Sequence, residues 1–142
     1  MPPGYSNGCG NGSDAVALGE RFQGQNSIDC RGRLPHFTAA GGQTNNCADF
    51  VSSCLESTGQ LNGHHVGVSN LEQSMLQQGY HQVPAAMAKP GDVYMTAKRS
   101  HTELVAAPGA TRLLGSNNDM PGHQVVSEKA HNPEEGIYYS RG

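Results

Sequence analysis

The residues best suited to carry out a reaction are Cys47 and the turn before it. Asn45 and Asn46 form a polar turn, and Cys47 then takes the first position of a predicted amphipathic helix. The residues that follow Cys47 at the spacing of one helical face are Phe50, Val51, Cys54, Leu55 and Thr58, and this face is predicted to pack against the core. A cysteine at a helix N-terminus lies close to the positive end of the dipole and to unpaired N–H groups. Both favour the thiolate, which is the nucleophile, so we hypothesise a cysteine hydrolase built on Cys47.

A cysteine nucleophile needs a base, and the base needs a third group that fixes its tautomer. The chain has seven histidines, and His101 is the best candidate because it opens a predicted strand directly after the polar segment 98–100. The alternative is that His101 is simply a surface residue at a strand start. His64 and His65 lie in a predicted loop, where they either line a cleft opposite His101 or are solvent-exposed.

The strand after His101 suggests the third group. If residues 111–117 pair with residues 101–107, His101 lies opposite Ser116 or Asn117, depending on one loop residue. A Pro-Gly turn does not match the strand twist that a two-residue hairpin loop requires. This favours the longer loop, which places Asn117 opposite His101. Asn117 also accepts an imidazole N–H better than a serine does. We predict Asn117 as the group that orients His101, with Ser116 as the alternative.

Length and charge limit the classes of protein to which this chain can belong. At 142 residues the chain is predicted to be a single domain spanning 1–142, with residues 1–12 as an irregular arm. The net charge is −3 and no Lys/Arg run exists, which argues against an electrostatic nucleic-acid binder. No apolar run reaches membrane-spanning length, and the N-terminus lacks the features of a signal peptide. We therefore expect no nucleic-acid partner, no membrane insertion and no built-in leader.

The four cysteines divide into two pairs. Cys47 and Cys54 lie two helical turns apart, roughly 10 Å, which is too far for a disulfide. Cys54 is expected to be a buried core residue. Cys9 and Cys30 lie in predicted loops and form a possible disulfide. No Cys/His spacing of a zinc site is present, and we expect neither a metal nor another cofactor.

The sequence pattern predicts helices in the first half of the chain and strands in the second half. Helices are expected over 14–22 with Ser13 as N-cap, over 47–58, and from a Ser69/Glu72 capping box to about residue 78. Five short strands are predicted at 92–97, 101–106, 111–116, 124–128 and 136–140. The breaks between them are short and turn-like, which suggests an antiparallel meander. The predicted fold is α+β, with N-terminal helices packed on a C-terminal antiparallel sheet of about five strands.

These landmarks also carry a family resemblance. In order and spacing, the segments Asn-Cys-Ala-Asp-Phe-Val (46–51), Lys-Pro-Gly-Asp-Val-Tyr (89–94), the strand-opening His101 and Leu-Gly-Ser-Asn (114–117) resemble the NlpC/P60 and CHAP superfamily of papain-like cell-wall cysteine peptidases. The resemblance covers most of residues 14–128. It implies a papain-like α+β core and hydrolysis of amide bonds in peptidoglycan stem peptides or cross-bridges.

The resemblance implies a role for each landmark residue. Cys47 would attack the carbonyl, His101 would shuttle the proton, Asn117 would hold the imidazole, and the backbone N–H of Cys47 would help to bind the oxyanion. A small chain without a leader would suit a phage lysin, a tail-associated hydrolase or an injected antibacterial effector. Such a protein would reach the cell wall, in the periplasm or outside the cell, by phage-, holin- or effector-type delivery. An effector would imply an immunity protein as partner.

The chain departs from the family pattern near the cysteine and the histidine. Asn46 stands before the cysteine where the family usually has an acidic residue, Asp49 follows where small residues are usual, and Glu103 replaces a small residue two places after His101. With His65, these three are candidate substrate-binding residues. The departures leave two alternatives open. One is a catalytically impaired module that binds peptidoglycan or a partner, and the other is a Cys-His acyltransferase or transglutaminase-like enzyme.

Overall fold

The computed structural model describes residues 12–42, 45–120 and 123–141 and confirms the α+β class. Its three helices are α1 (Gly12–Glu20), α2 (Cys47–Ser57) and α3 (Val68–Gln77). Its six strands are β1 (His81–Val83), β2 (Val93–Met95), β3 (Thr102–Val105), β4 (Arg112–Met120), β5 (His123–Ala130) and β6 (Ile137–Ser140). Within the described residues, no helix has the length and apolar content that crossing a membrane requires.

The strands form one antiparallel sheet in the order β1-β6-β2-β3-β4-β5. Strands β2 to β5 are the predicted meander. The last strand leaves that pattern, because β6 returns to pair with β2 and β1 then adds a sixth strand beyond it. The prediction of about five strands missed β1, which has only three residues and no buried side chain.

Helix α2 lies against one face of the sheet and forms the centre of the core. Its apolar side packs with residues of α1 and with sheet residues Val93, Met95, Leu104, Leu114, Val126 and Tyr139. Close approach between α1, α2 and β4 depends on Gly19, where an added Cβ would lie 2.9 Å from a Leu114 methyl and 3.1 Å from the Phe50 ring. Cys54 is fully buried in this core, as predicted.

Two predicted helix starts are wrong by one or two residues. Helix α1 already includes Gly12 and Ser13, so Ser13 is not its N-cap and the irregular arm does not reach residue 12; residues 1–11 lie outside the described residues. Helix α3 begins at Val68, which places Ser69 inside the helix and rules out the capping box. Glu72 makes tertiary hydrogen bonds instead, and these compete successfully with local capping.

Candidate active site

Cys47 is the first residue of α2, as its sequence position predicts. Its N–H therefore has no partner within the helix. The side chain is only 2% exposed, and its sulfur donates a hydrogen bond to Oδ1 of Asn45 at 3.1 Å. The sulfur thus lies at the N-terminus of the helix that is most deeply embedded in the core.

His101 directly precedes β3 and faces β4. The observed pairs Leu104–Leu114 and Val105–Leu113 extend to place His101 opposite Asn117. Nε2 of His101 lies 2.9 Å from Oδ1 of Asn117. Ser116, the alternative, projects to the other face of β4, where its hydroxyl donates to Oε1 of Gln124 and also lies 2.9 Å from the Ser27 hydroxyl. Of the two candidates, the structure brings Asn117 to the imidazole.

Glu103 is a further member of this group. It is 2% exposed, and its Oε2 lies 3.3 Å from Nε2 of His101 while its Oε1 accepts a hydrogen bond from Nδ2 of Asn117 at 3.1 Å. Gly115 makes room for this carboxylate, because an added Cβ there would lie 2.6 Å from Cγ of Glu103. The contacts assign Glu103 to positioning His101, and a direct contact with substrate stays a prediction.

The environment of His101 changes its pKa. Burial of the imidazole lowers the pKa, but the hydrogen bonds with the Cys47 sulfur and with Glu103, and the charges of those two groups, raise it to about 9. Since Nε2 faces Asn117 and Glu103, Nδ1 is the ring nitrogen left for the sulfur. The raised pKa keeps the imidazole protonated to higher pH, so the arrangement places a proton donor beside the Cys47 sulfur, the candidate nucleophile.

Asn46, a predicted substrate-binding residue, is fully buried in front of Cys47. Its Nδ2 donates to Oγ of Ser27 at 3.2 Å and to the carbonyl of Gly42 at 2.6 Å, and its backbone N–H donates to Oε1 of Gln124 at 3.0 Å. These contacts hold the turn that directly precedes Cys47 in place. They give no support to a substrate contact, which stays a prediction.

Asp49, one helical turn after Cys47, is also fully buried. Its carboxylate accepts hydrogen bonds from the backbone N–H groups of Thr38 at 3.0 Å and Ala40 at 3.2 Å, and from the Thr38 hydroxyl at 2.7 Å. Ala39 between them has a φ of +56°, a left-handed conformation that costs free energy for a residue with a Cβ. Asp49 thus holds a strained loop in the segment ahead of Cys47, and its contact with substrate stays a prediction.

His64 is the residue whose role the sequence did not indicate. Its Nε2 lies 2.7 Å from Oδ1 of Asp49, and its Nδ1 contacts both Glu56 and, at 3.1 Å, the Ser52 hydroxyl. Ser52 is fully buried and donates to the carbonyl of His65, so this serine is not placed as a nucleophile. The cluster ties the loop after α2 to the middle of that helix.

His65 is partly exposed in the same loop. Among the described residues, its side chain makes no hydrogen bond with Cys47 or His101. Its predicted contact with substrate therefore stays a prediction.

The loop that leads into His101 is held by an arginine. Arg99 donates to both carboxylate oxygens of Glu72 in α3, with its Nη2 2.9 Å from Oε2, and the Tyr139 hydroxyl contacts the same carboxylate. The pKa of Glu72 is lowered, chiefly by the hydrogen bond from Arg99. Thr96 completes the loop, since its hydroxyl accepts the backbone N–H groups of Ser100 and His101.

Of the cysteines that the structure describes, Cys30 and Cys54 are free and buried and do not take part in this site. Cys30 is buried, and burial raises its pKa to about 11. Cys9 lies outside the described residues, so the possible disulfide with Cys30 stays a prediction. Across 12–42, 45–120 and 123–141, no group of three or more His, Cys, Asp or Glu side chains is arranged to hold a metal ion.

The fold is similar to that of a known protein. The crystal structure of the wild-type endolysin LysIME-EF1 superposes with a TM-score of 0.60 at 15% sequence identity, over 90% of this chain and 63% of that one. At this identity the likeness concerns the fold alone. The chain spans about 63% of that protein's length. No protein-family model and no curated protein sequence matches the chain.

Proposed function

We propose that this protein is a cysteine peptidase or amidase that hydrolyses amide bonds in bacterial peptidoglycan, in stem peptides or cross-bridges. The observation that carries the proposal is the position of the His101 imidazole. Its Nε2 lies 2.9 Å from Oδ1 of Asn117 and 3.3 Å from Oε2 of Glu103, and the Cys47 sulfur is close enough to contribute to the raised pKa of the ring. A nucleophile, a base and an orienting group are thereby in contact in the order that acyl transfer needs.

Each residue has one task in the proposed reaction. The Cys47 thiolate attacks the amide carbonyl, and the N–H of Cys47 helps to bind the developing oxyanion. Protonated His101 gives its proton to the leaving amine and then takes one from the water that hydrolyses the acyl-enzyme. Asn117 and Glu103 hold the imidazole with Nδ1 toward the sulfur.

The choice of substrate has separate support. The name of the structural neighbour, an endolysin, favours a cell-wall substrate for this chain as well. The NlpC/P60- and CHAP-like order of landmarks favours a peptide bond within that wall. The setting we propose is a phage lysin, a tail-associated hydrolase or an injected effector, and in the last case an immunity protein would be the partner.

Two alternatives share these residues. A binding module without catalysis was suggested by the unusual Asp49 and Glu103, but both now have internal partners that support the site. An acyltransferase or transglutaminase-like enzyme would use the same nucleophile and base with a different acceptor.

Mass analysis of soluble fragments released from purified peptidoglycan separates the three. We expect paired new amino and carboxyl termini, with the gain of one water. Fragments joined to an amine or alcohol would favour transfer, and the absence of fragments alongside retained wall binding would favour the module.

A further inference from the structure

Asn45 lies directly against the reacting sulfur. The Cys47 sulfur donates to Oδ1 of Asn45 at 3.1 Å, and Asn45 itself is exposed. Among the described residues, this sulfur is the one partner that the structure gives to the Asn45 amide. The amide can therefore rotate without breaking any other described contact.

The neighbouring amides do not have this freedom. Both amide atoms of Asn46 are occupied, since Oδ1 accepts the N–H of Gly41 and Nδ2 donates to Ser27 and Gly42. Oε1 of Gln124 accepts hydrogen bonds from the Asn46 N–H and the Ser116 hydroxyl. Both residues are nearly or fully buried, whereas Asn45 is open to an approaching substrate.

We propose that Asn45 is a catalytic residue that supplies the second donor of the oxyanion hole. An asparagine amide carries an acceptor and two donors on one carbon, so rotation of the side chain exchanges Oδ1 for Nδ2 near the sulfur. Nδ2 then lies beside the carbonyl under attack, next to the N–H of Cys47. The inference rests on the proposed function, because it requires acyl transfer at Cys47.

The step is balanced without any further reactant. The thiolate forms the C–S bond, and the carbonyl π electrons move to oxygen, where the N–H of Cys47 and Nδ2–H of Asn45 donate to it. When the C=O bond re-forms, the C–N bond breaks and the amine leaves with the proton of His101. Water then attacks the thioester and gives a proton to the now neutral His101, and the same two donors bind the second oxyanion. When the C=O bond re-forms, the C–S bond breaks, which releases the carboxylic acid and restores the thiolate beside protonated His101.

Two reactions of the full-length protein separate stabilisation of an oxyanion from reactivity of the sulfur. The first is the burst of nitrophenolate from p-nitrophenyl acetate, which forms an oxyanion at Cys47. The second is alkylation by iodoacetamide, which displaces iodide and forms none. Cys47→Ala supplies the blank for both reactions. Asn62→Ala, an exposed asparagine in the loop after α2, is the matched control.

Asn45→Ala should slow the burst at least about tenfold, and amide hydrolysis about 100-fold, since one oxyanion donor is lost. Asn45→Asp, which lacks a donor, should lose at least as much. The rate of Cys47 alkylation in both variants should stay within about threefold of the wild-type rate, because alkylation forms no oxyanion. An unchanged burst in Asn45→Ala, or an equal fall in burst and alkylation, would overturn the inference. An Asn45-dependent burst in a protein that does not cleave peptidoglycan would support the inference and refute the proposed substrate.

Discussion

Oε2 of Glu103 lies 3.3 Å from Nε2 of His101, and Oε1 of the same carboxylate accepts a hydrogen bond from Asn117 at 3.1 Å. One buried carboxylate on β3 therefore contacts both His101 and Asn117. Asn117 alone is neutral, whereas Glu103 adds a negative charge that favours the protonated imidazole. The site is consequently a group of four residues rather than a triad.

Removal of that charge should change the pH dependence of the reaction. The pKa of His101 is raised from 6.5 to about 9, so the imidazolium is present below that value and is lost as the pH rises through it. In Glu103→Gln the pKa should fall, and the basic limb of kcat/KM should move to lower pH by about one pH unit. A pH–rate profile and an NMR titration of the His101 ring both measure this change.

Glu134→Gln is the matched control for this prediction, because Glu134 is an exposed glutamate in the turn before β6. Its pH profile should match the wild type. A Glu103→Gln variant whose basic limb also coincides with that of the wild type would show that Glu103 does not act on His101.

Gly115 should be needed for the position of Glu103. In Gly115→Ala the new Cβ would lie 2.6 Å from Cγ and 3.0 Å from Oε1 of Glu103, so the carboxylate must move. We expect kcat to fall about 10- to 100-fold, because small displacements of an orienting group are costly. Urea unfolding should show a loss of about 1–3 kcal/mol from overpacking.

A double-mutant cycle with Glu103→Ala tests whether the effect of Gly115→Ala passes through the carboxylate. In the Glu103→Ala background the contacts with Cγ and Oε1 are absent and only the 3.2 Å approach to the Cβ of residue 103 remains, so Gly115→Ala should change kcat and the free energy of unfolding much less. Equal costs in the two backgrounds would mean that Gly115 matters for another reason.

His64 should stabilise the fold rather than the chemistry. His64→Ala removes one of the partners of the fully buried Asp49 carboxylate and a contact to Glu56, which should lower the free energy of unfolding by about 1–3 kcal/mol. Urea denaturation at neutral pH measures this loss. His65→Ala is the adjacent control and should stay within about 0.5 kcal/mol of the wild type. Equal stability of the two variants would contradict the role of His64.

Local signals in the sequence were sufficient to predict the helix that begins at Cys47 and the hairpin that brings His101 to Asn117. The start of α2 at Cys47 follows from the polar turn and the periodic apolar face. The pairing of His101 with Asn117 follows from the length of one loop, since neighbouring strands fix register over a short distance.

Contacts between distant segments were not predictable in the same way. Glu72 has the spacing of a capping box with Ser69, but Arg99 and Tyr139, 27 and 67 residues away, bind its carboxylate instead. His64 reads as a loop histidine because its partner Asp49 lies 15 residues earlier on another element. Strand β1 is too short to carry an alternating pattern and is defined only by its pairing with β6.

The central claim is that Cys47 cleaves peptidoglycan. Its most direct test is the clearing of purified peptidoglycan by the wild type, Cys47→Ala and Cys54→Ala, with folding checked by circular dichroism. Cys54 lies in the same helix and is fully buried, so its variant controls for loss of a cysteine from α2. We predict clearing by the wild type and Cys54→Ala and none by folded Cys47→Ala. Undiminished clearing by Cys47→Ala would contradict the account.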